Sequence, residues 1–133
     1  MAEAGFWKST GFSCTAGDDF DSANSNVNGY PKLITHPSTP GKCFLRLAEE
    51  RKGTAAASAF VSYTLNSAKT FSTSFEYRLF GVTGSPADGI TFTMHQDSRG
   101  ATALGGTGGY LGVYNTNPIK NALVIELDTC KLH

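Results

Sequence analysis

Residues 70–80 read TFSTSFEYRLF, and their alternation decides the fold class. Phe71, Thr73, Phe75, Tyr77 and Leu79 fall on one side of an extended chain, and Ser72, Ser74, Glu76 and Arg78 on the other. One apolar and one polar side at a period of two is the pattern of a half-buried antiparallel strand. The same period holds around it. Upstream, Leu45 and Leu47 share a face within residues 43–48, and Ala59, Val61, Tyr63 and Leu65 alternate with Phe60, Ser62 and Thr64. Downstream, Ile90, Phe92 and Met94 oppose Thr91, Thr93 and His95. The loop SRGATALGGTGG then leads into residues 110–115, a turn at Asn117-Pro118, and residues 121–129. Short alternating segments separated by turn residues predict an all-β chain folded as a β-sandwich.

Composition agrees. The 133 residues carry nine Phe, five Tyr, one Trp and fifteen Gly, and 17% are charged against about 25% in ordinary domains. Aromatics, glycine and few charges favour strands and turns over helices. Eleven basic and eleven acidic residues give a formal charge of zero, which excludes nucleic-acid binding by a basic excess. The apolar runs are far shorter than the ~20 residues of a membrane helix, so no membrane insertion is expected.

The first forty residues are polar and punctuated by Gly11, Gly17, Gly29, Pro31, Pro37 and Pro40. Residues 1–42 therefore read as a loop-rich opening segment, with a short edge strand around residues 30–34. Asp18, Asp19 and Asp21 lack EF-hand spacing and its closing Glu, and read as a solvated turn. Cys14, Cys43 and Cys130 show no C-x-x-C spacing, which argues against a zinc site. They admit one disulfide, Cys14–Cys43, or three reduced thiols. Residues 1–14, MAEAGFWKSTGFSC, have no basic start followed by an apolar run, so no signal peptide is read there.

Three features could carry chemistry. On the strand at 121–129, Glu126 and Asp128 sit two apart and share a face, about 7 Å apart along the backbone. Two neighbouring carboxylates are either solvated at a strand end or bridged by a hard divalent cation, which prefers oxygen ligands. Pro86-Ala87-Asp88-Gly89 precedes a strand, which by itself is turn chemistry. Gly105-Gly106-Thr107-Gly108-Gly109 lets backbone approach a ligand closely, but no P-loop Lys-Ser/Thr follows, which argues against a nucleotide.

Taken together, FSTSFEYRLFG, SPADGITFTMHQD, LGGTGGYLGVYN and IKNALVIELDT, in that order, resemble the core of an L-type, legume-type lectin domain. The preceding LRLAEERKGTAAASAFVSYTL resembles the bacterial-type members more than the plant seed lectins. The resemblance implies a concanavalin-like jelly-roll β-sandwich, with residues 43–133 as the N-terminal part of the domain, and hence an incomplete one. It implies carbohydrate binding without catalysis, glycans or glycoproteins as partners, oligomerisation as a compatible state, and an extracellular or secretory location.

It also implies roles. Asp88 accepts hydrogen bonds from two sugar hydroxyls and follows a cis Ala87–Asp88 bond. Gly109 donates its backbone N–H to the same sugar. Glu126 and Asp128 bind manganese, Asp128 also reaches calcium, and Cys130 gives calcium its main-chain carbonyl. A carboxylate acceptor and a fixed backbone donor are what sugar hydroxyls require. An aromatic face for the sugar ring follows the E-x-D strand in the family, and no residue here is identified with it.

The pattern departs from the family at Leu132, which stands where the family has an asparagine that binds calcium and sugar, and leucine can do neither. His133 comes too early for the family's metal histidine. The expectation is therefore impaired binding of metal and sugar, with apolar faces and strand edges prone to association. Two other readings compete. Jelly-roll glycoside hydrolases carry E-x-D-x-x-E, which Glu126 and Asp128 begin, but the third place is Lys131, which cannot serve as the acid. A structural or adhesion module that has lost its sugar site would also tolerate Leu132.

Overall fold

A computed structural model of the chain describes residues 20–24, 32–35, 38, 43–47, 56–61, 64–79 and 87–129. Among them are six strands: β1 (Phe20–Asn24), β2 (Lys32–Thr35), β3 (Cys43–Arg46), β4 (Ala57–Val61), β5 (Gly89–His95) and β6 (Ala122–Asp128). Among the described residues helical structure is confined to two 3-10 turns, Gly100–Thr102 and Gly108–Tyr110. The described residues are all-β in class. No helix among the described residues is long and apolar enough to cross a membrane.

The strands pair antiparallel in three two-stranded sheets, β1 with β4, β2 with β3, and β5 with β6. The edge strand expected near residues 30–34 is β2, in register with β3 from Lys32 opposite Arg46 to Thr35 opposite Cys43. Cys14 and Cys130 lie outside the described residues, and so does the Cys14–Cys43 pairing. Asp21, expected in a solvated turn, instead lies in β1 opposite Phe60. Its neighbours explain why a polar FDSAN segment can extend: Ser22 faces Ala59, Ala23 faces Ser58 and Asn24 faces Ala57. Small side chains opposite one another let a ladder form with little help from intrinsic propensity.

Two expected segments are not strands. Residues 64–79 join no ladder, and Phe75 and Tyr77 are 52% and 53% exposed. Phe80 lies outside the described residues. Alternation predicts which side of a strand would be apolar; the ladder itself requires a neighbour, and none of the described strands pairs with this segment. Residues 110–115 turn instead of extending. Leu111 and Gly112 are both left-handed, at φ 51° and 74°, which reverses the chain directly after Gly108–Tyr110.

Among the described residues the core is a small cluster against β4 and β6. Ala103, Val113 and Ile119, all from the loop between β5 and β6, are buried together, with Phe60 of β4 and Val124 of β6 packed against them. The Ser58 hydroxyl donates to the Ala103 carbonyl at 2.8 Å and fastens β4 to the same loop. Val124 pairs opposite Thr93, so the core contacts the β5–β6 face that the sequence marks as the more polar one. The other face carries Leu123 and Ile125, 59% and 53% exposed, opposite Met94 and Phe92. Phe75 stacks on Phe92 there, with ring centroids 5.5 Å apart.

Candidate functional site

The site is built on β5 and β6, which meet across the intervening chain 96–121. Their register sets Gly89 opposite Asp128 and Thr91 opposite Glu126. Asp88 is thereby carried to the end of the strand that bears both acidic residues. Beyond the last rung, the Thr129 N–H and hydroxyl both donate to the Asp88 carbonyl, at 2.9 and 3.1 Å. This tie holds the A-D-G turn against the E-x-D strand. The Ala87–Asp88 peptide bond is cis. Gly89 is required where it stands: at φ 151° an added Cβ would lie 2.5 Å from the Leu127 carbonyl oxygen. The Asp88 carboxylate accepts no hydrogen bond from the described residues.

Glu126 and Asp128 lie on one face of β6 and both are exposed. Glu126 is not alone. The Tyr114 phenol donates to Glu126 Oε1 at 2.5 Å, and that bond, reinforced by partial burial and the negative charge, raises the Tyr114 phenol above its ordinary range. Oxygen donors of this kind suit calcium and manganese in chemistry. Among the described residues no three His, Cys, Asp or Glu side chains gather as a metal cluster, so a metal would have two carboxylates here. Cys130, expected to add a carbonyl, lies outside the described residues.

Gly109 sits in the 3-10 turn Gly108–Tyr110, exposed, and nothing lies within 4 Å of where a Cβ would be. Its N–H donates to no described residue. The turn is held from below: Gly105 N–H donates to Gly112 O at 2.6 Å, Gly106 N–H to Tyr114 O at 2.8 Å, and Gly112 N–H to Gly106 O at 2.9 Å. Gly105 is glycine because a Cβ there would lie 2.5 Å from the Val113 carbonyl carbon. The chain leaves this turn through Asn115, Asn117 and Asn121, all at positive φ, a conformation asparagine tolerates better than most residues. The structure thus brings Asp88 to the acidic strand and joins the glycine-rich loop to Glu126 through Tyr114. No contact among the described residues joins Gly109 to Asp88.

Sequence reasoning missed three residues. Tyr114 carries no local signal for its bond to Glu126, which exists only in three dimensions. Asp97 and Arg99 do carry one: an Asp two residues before an Arg ahead of a glycine is an Asx-turn pattern. Asp97 Oδ1 accepts the Arg99 N–H at 2.9 Å, and the salt bridge from Arg99 Nη2 to Asp97 Oδ2 is 2.7 Å. Arg99 hydrogen bonds, then the Lys120 N–H, hold the Asp97 carboxyl well below the usual carboxylate range. His95, read as a polar-face strand residue, is half-buried. Its ring meets Phe60 edge-on at 4.5 Å, and its Nδ1 accepts the Asp97 N–H at 3.1 Å. Partial burial lowers its pKa; Asp97 opposes this and Arg99 adds to it.

Compared with known proteins, the chain matches no family model, no curated protein and no solved structure.

Proposed function

We propose that this chain is a carbohydrate-binding module of the L-type lectin kind, built as a jelly-roll β-sandwich and assisted by calcium and manganese. Asp88 accepts from sugar hydroxyls and Gly109 donates its N–H. Glu126, Asp128 and the Cys130 main-chain carbonyl would hold the metals, which supply positive charge to keep the acidic strand and the Asp88 turn together. Glycans or glycoproteins at an extracellular or secretory location are the partners, and no catalysis is assigned.

One observation carries the reading. The β5–β6 register and the two Thr129 bonds bind the A-D-G turn to the end of the E-x-D strand, and those are the two motifs that the resemblance pairs at a sugar site. The open Asp88 carboxylate and open Gly109 N–H add an acceptor and a donor that a hydroxylated ring could use. Leu132, in place of the family asparagine, sets the expected affinity low.

A glycan array probed with the chain and with Asp88→Ala tests this. Loss of a charged acceptor predicts about a tenfold or greater fall in retention. Gly109→Ala, which meets no protein atom within 4 Å, should leave the fold intact and weaken retention by crowding the ligand. A second reading, a structural or adhesion module without sugar binding, is favoured by Leu132 alone. Retention unchanged by Asp88→Ala, or absent throughout, would support it.

A further inference from the structure

Asp97 and Arg99 form a knot to which the sugar-binding reading assigns no part. Asp97 is only 8% exposed, and both its oxygens are doubly engaged. Oδ1 accepts the Arg99 N–H at 2.9 Å and Nε–H at 2.8 Å; Oδ2 accepts Arg99 Nη2 at 2.7 Å and the Lys120 N–H at 2.8 Å. The guanidinium continues past Asp97. Nη1 donates to the Leu104 carbonyl at 2.9 Å and the Asn117 carbonyl at 3.1 Å, and Nη2 donates to the Pro118 carbonyl at 2.9 Å. All five N–H donors of the fork are thus used.

The placement of those acceptors matters. Leu104 and Asn117-Pro118 are the two feet of the segment that carries Gly105, Gly109, Tyr110 and Tyr114. Lys120, reached through Asp97, stands two residues before β6 begins. One side chain therefore closes the loop at both feet, and its partner fixes that closure to the strand bearing Glu126. The backbone bonds within the loop, among them those from Gly105, Gly106 and Gly112 to Gly112, Tyr114 and Gly106, are local and shape it; the Tyr114 phenol ties its middle to Glu126, and Arg99 holds its feet.

We infer that Arg99 is a positioning residue: by clamping both feet of the glycine-rich loop it sets the Gly109 N–H in place and holds the Tyr114 phenol at Glu126 of β6. The clamp stands on its own geometry; only the ligand that Gly109 meets rests on the sugar-binding reading. Lysine cannot substitute, because a single ammonium offers three donors from one point and cannot span acceptors on Asp97, Leu104, Asn117 and Pro118 together.

Residue-resolved amide hydrogen exchange on the native chain and on Arg99→Lys tests the inference. In the native chain, the Gly105, Gly106, Gly112 and Lys120 amides should exchange as one unit. In Arg99→Lys, the three loop amides should exchange about tenfold faster or more, while the β5–β6 ladder amides of Phe92 and Ile125 hold their protection. Sugar retention should fall in step. Unchanged loop protection in a folded Arg99→Lys chain would overturn the inference. Equal loss of protection in loop and ladder would do the same, because it marks a general stabilising role. If the variant does not fold, the native chain still decides, since a Lys120 amide exchanging independently of the loop amides contradicts the clamp. If the native chain binds no sugar while the loop amides respond as expected, the sugar-binding reading fails and the clamp stands.

Discussion

Two stretches of this chain have nearly the same alternating pattern and different outcomes. In β5 and β6, seven residues pair with seven from Gly89 opposite Asp128 to His95 opposite Ala122. In residues 64–79, Phe71, Phe75, Tyr77 and Leu79 alternate more regularly still, yet the segment joins no ladder and its aromatic side chains are exposed. The difference lies in what surrounds each. β5 and β6 are closed at one end by Thr129 on Asp88 and at the other by Gln96 N–H on Asn121 O at 3.1 Å, with the clamped loop between them. Residues 64–79 have an Asn66–Lys69 turn and the Phe75–Phe92 stack. A period of two states which face would be buried, and tertiary closure decides whether a strand forms.

The comparison breaks most completely at Gly89. Gly89→Ala puts a Cβ 2.5 Å from Leu127 O at a φ of 151°, so β5 and β6 should separate at their first rung. A loss of about 3 kcal/mol is expected, read as a lower urea midpoint. Gly105→Ala should cost less, about 2 kcal/mol, because only the loop must open around Val113. It should expose the loop amides before those of the ladder.

Acid sharpens the same contrast. The folded His95 pKa lies below the ordinary 6.5, so the unfolded chain takes up the proton first. Its contribution is complete above pH 6.5 and declines as pH falls through that value, because a protonated Nδ1 can no longer accept the Asp97 N–H. Asp97 follows the same sign lower down: its carboxyl is depressed below the ordinary 3.8, so its contribution is complete above that value and is lost as pH falls further. A series of urea midpoints should show both declines, and His95→Gln should remove the upper one. The smallest effect is expected from residues 64–79. Phe75→Ala removes one stacked, half-exposed ring, and a change near 1 kcal/mol or less should be seen in the same assay.

The legible parts of the molecule were those fixed by local pattern. β3, β4, β5 and β6 follow from alternation, the short β2 from the glycine and proline that punctuate the opening segment, and Glu126 and Asp128 share a face because β6 is a strand. β1 was hidden because FDSAN is polar and its ladder depends on the small residues of β4. The burial of the Thr93–Val124 face was hidden because Ala103, Val113 and Ile119 come from a loop whose path no period describes. Of the site, the proximity of Asp88 to the acidic strand was anticipated only through a family resemblance. Tyr114 on Glu126 and the reach of Arg99 to three carbonyls are products of the fold, which no spacing encodes.

Calorimetric titration of the native chain with a panel of monosaccharides, with calcium and manganese and again after chelation, tests sugar binding most directly. Weak, saturable binding of at least one sugar is predicted, reduced by chelation and abolished in Asp88→Ala. Heats that never saturate for any sugar, or binding that ignores both the metals and Asp88, would contradict it.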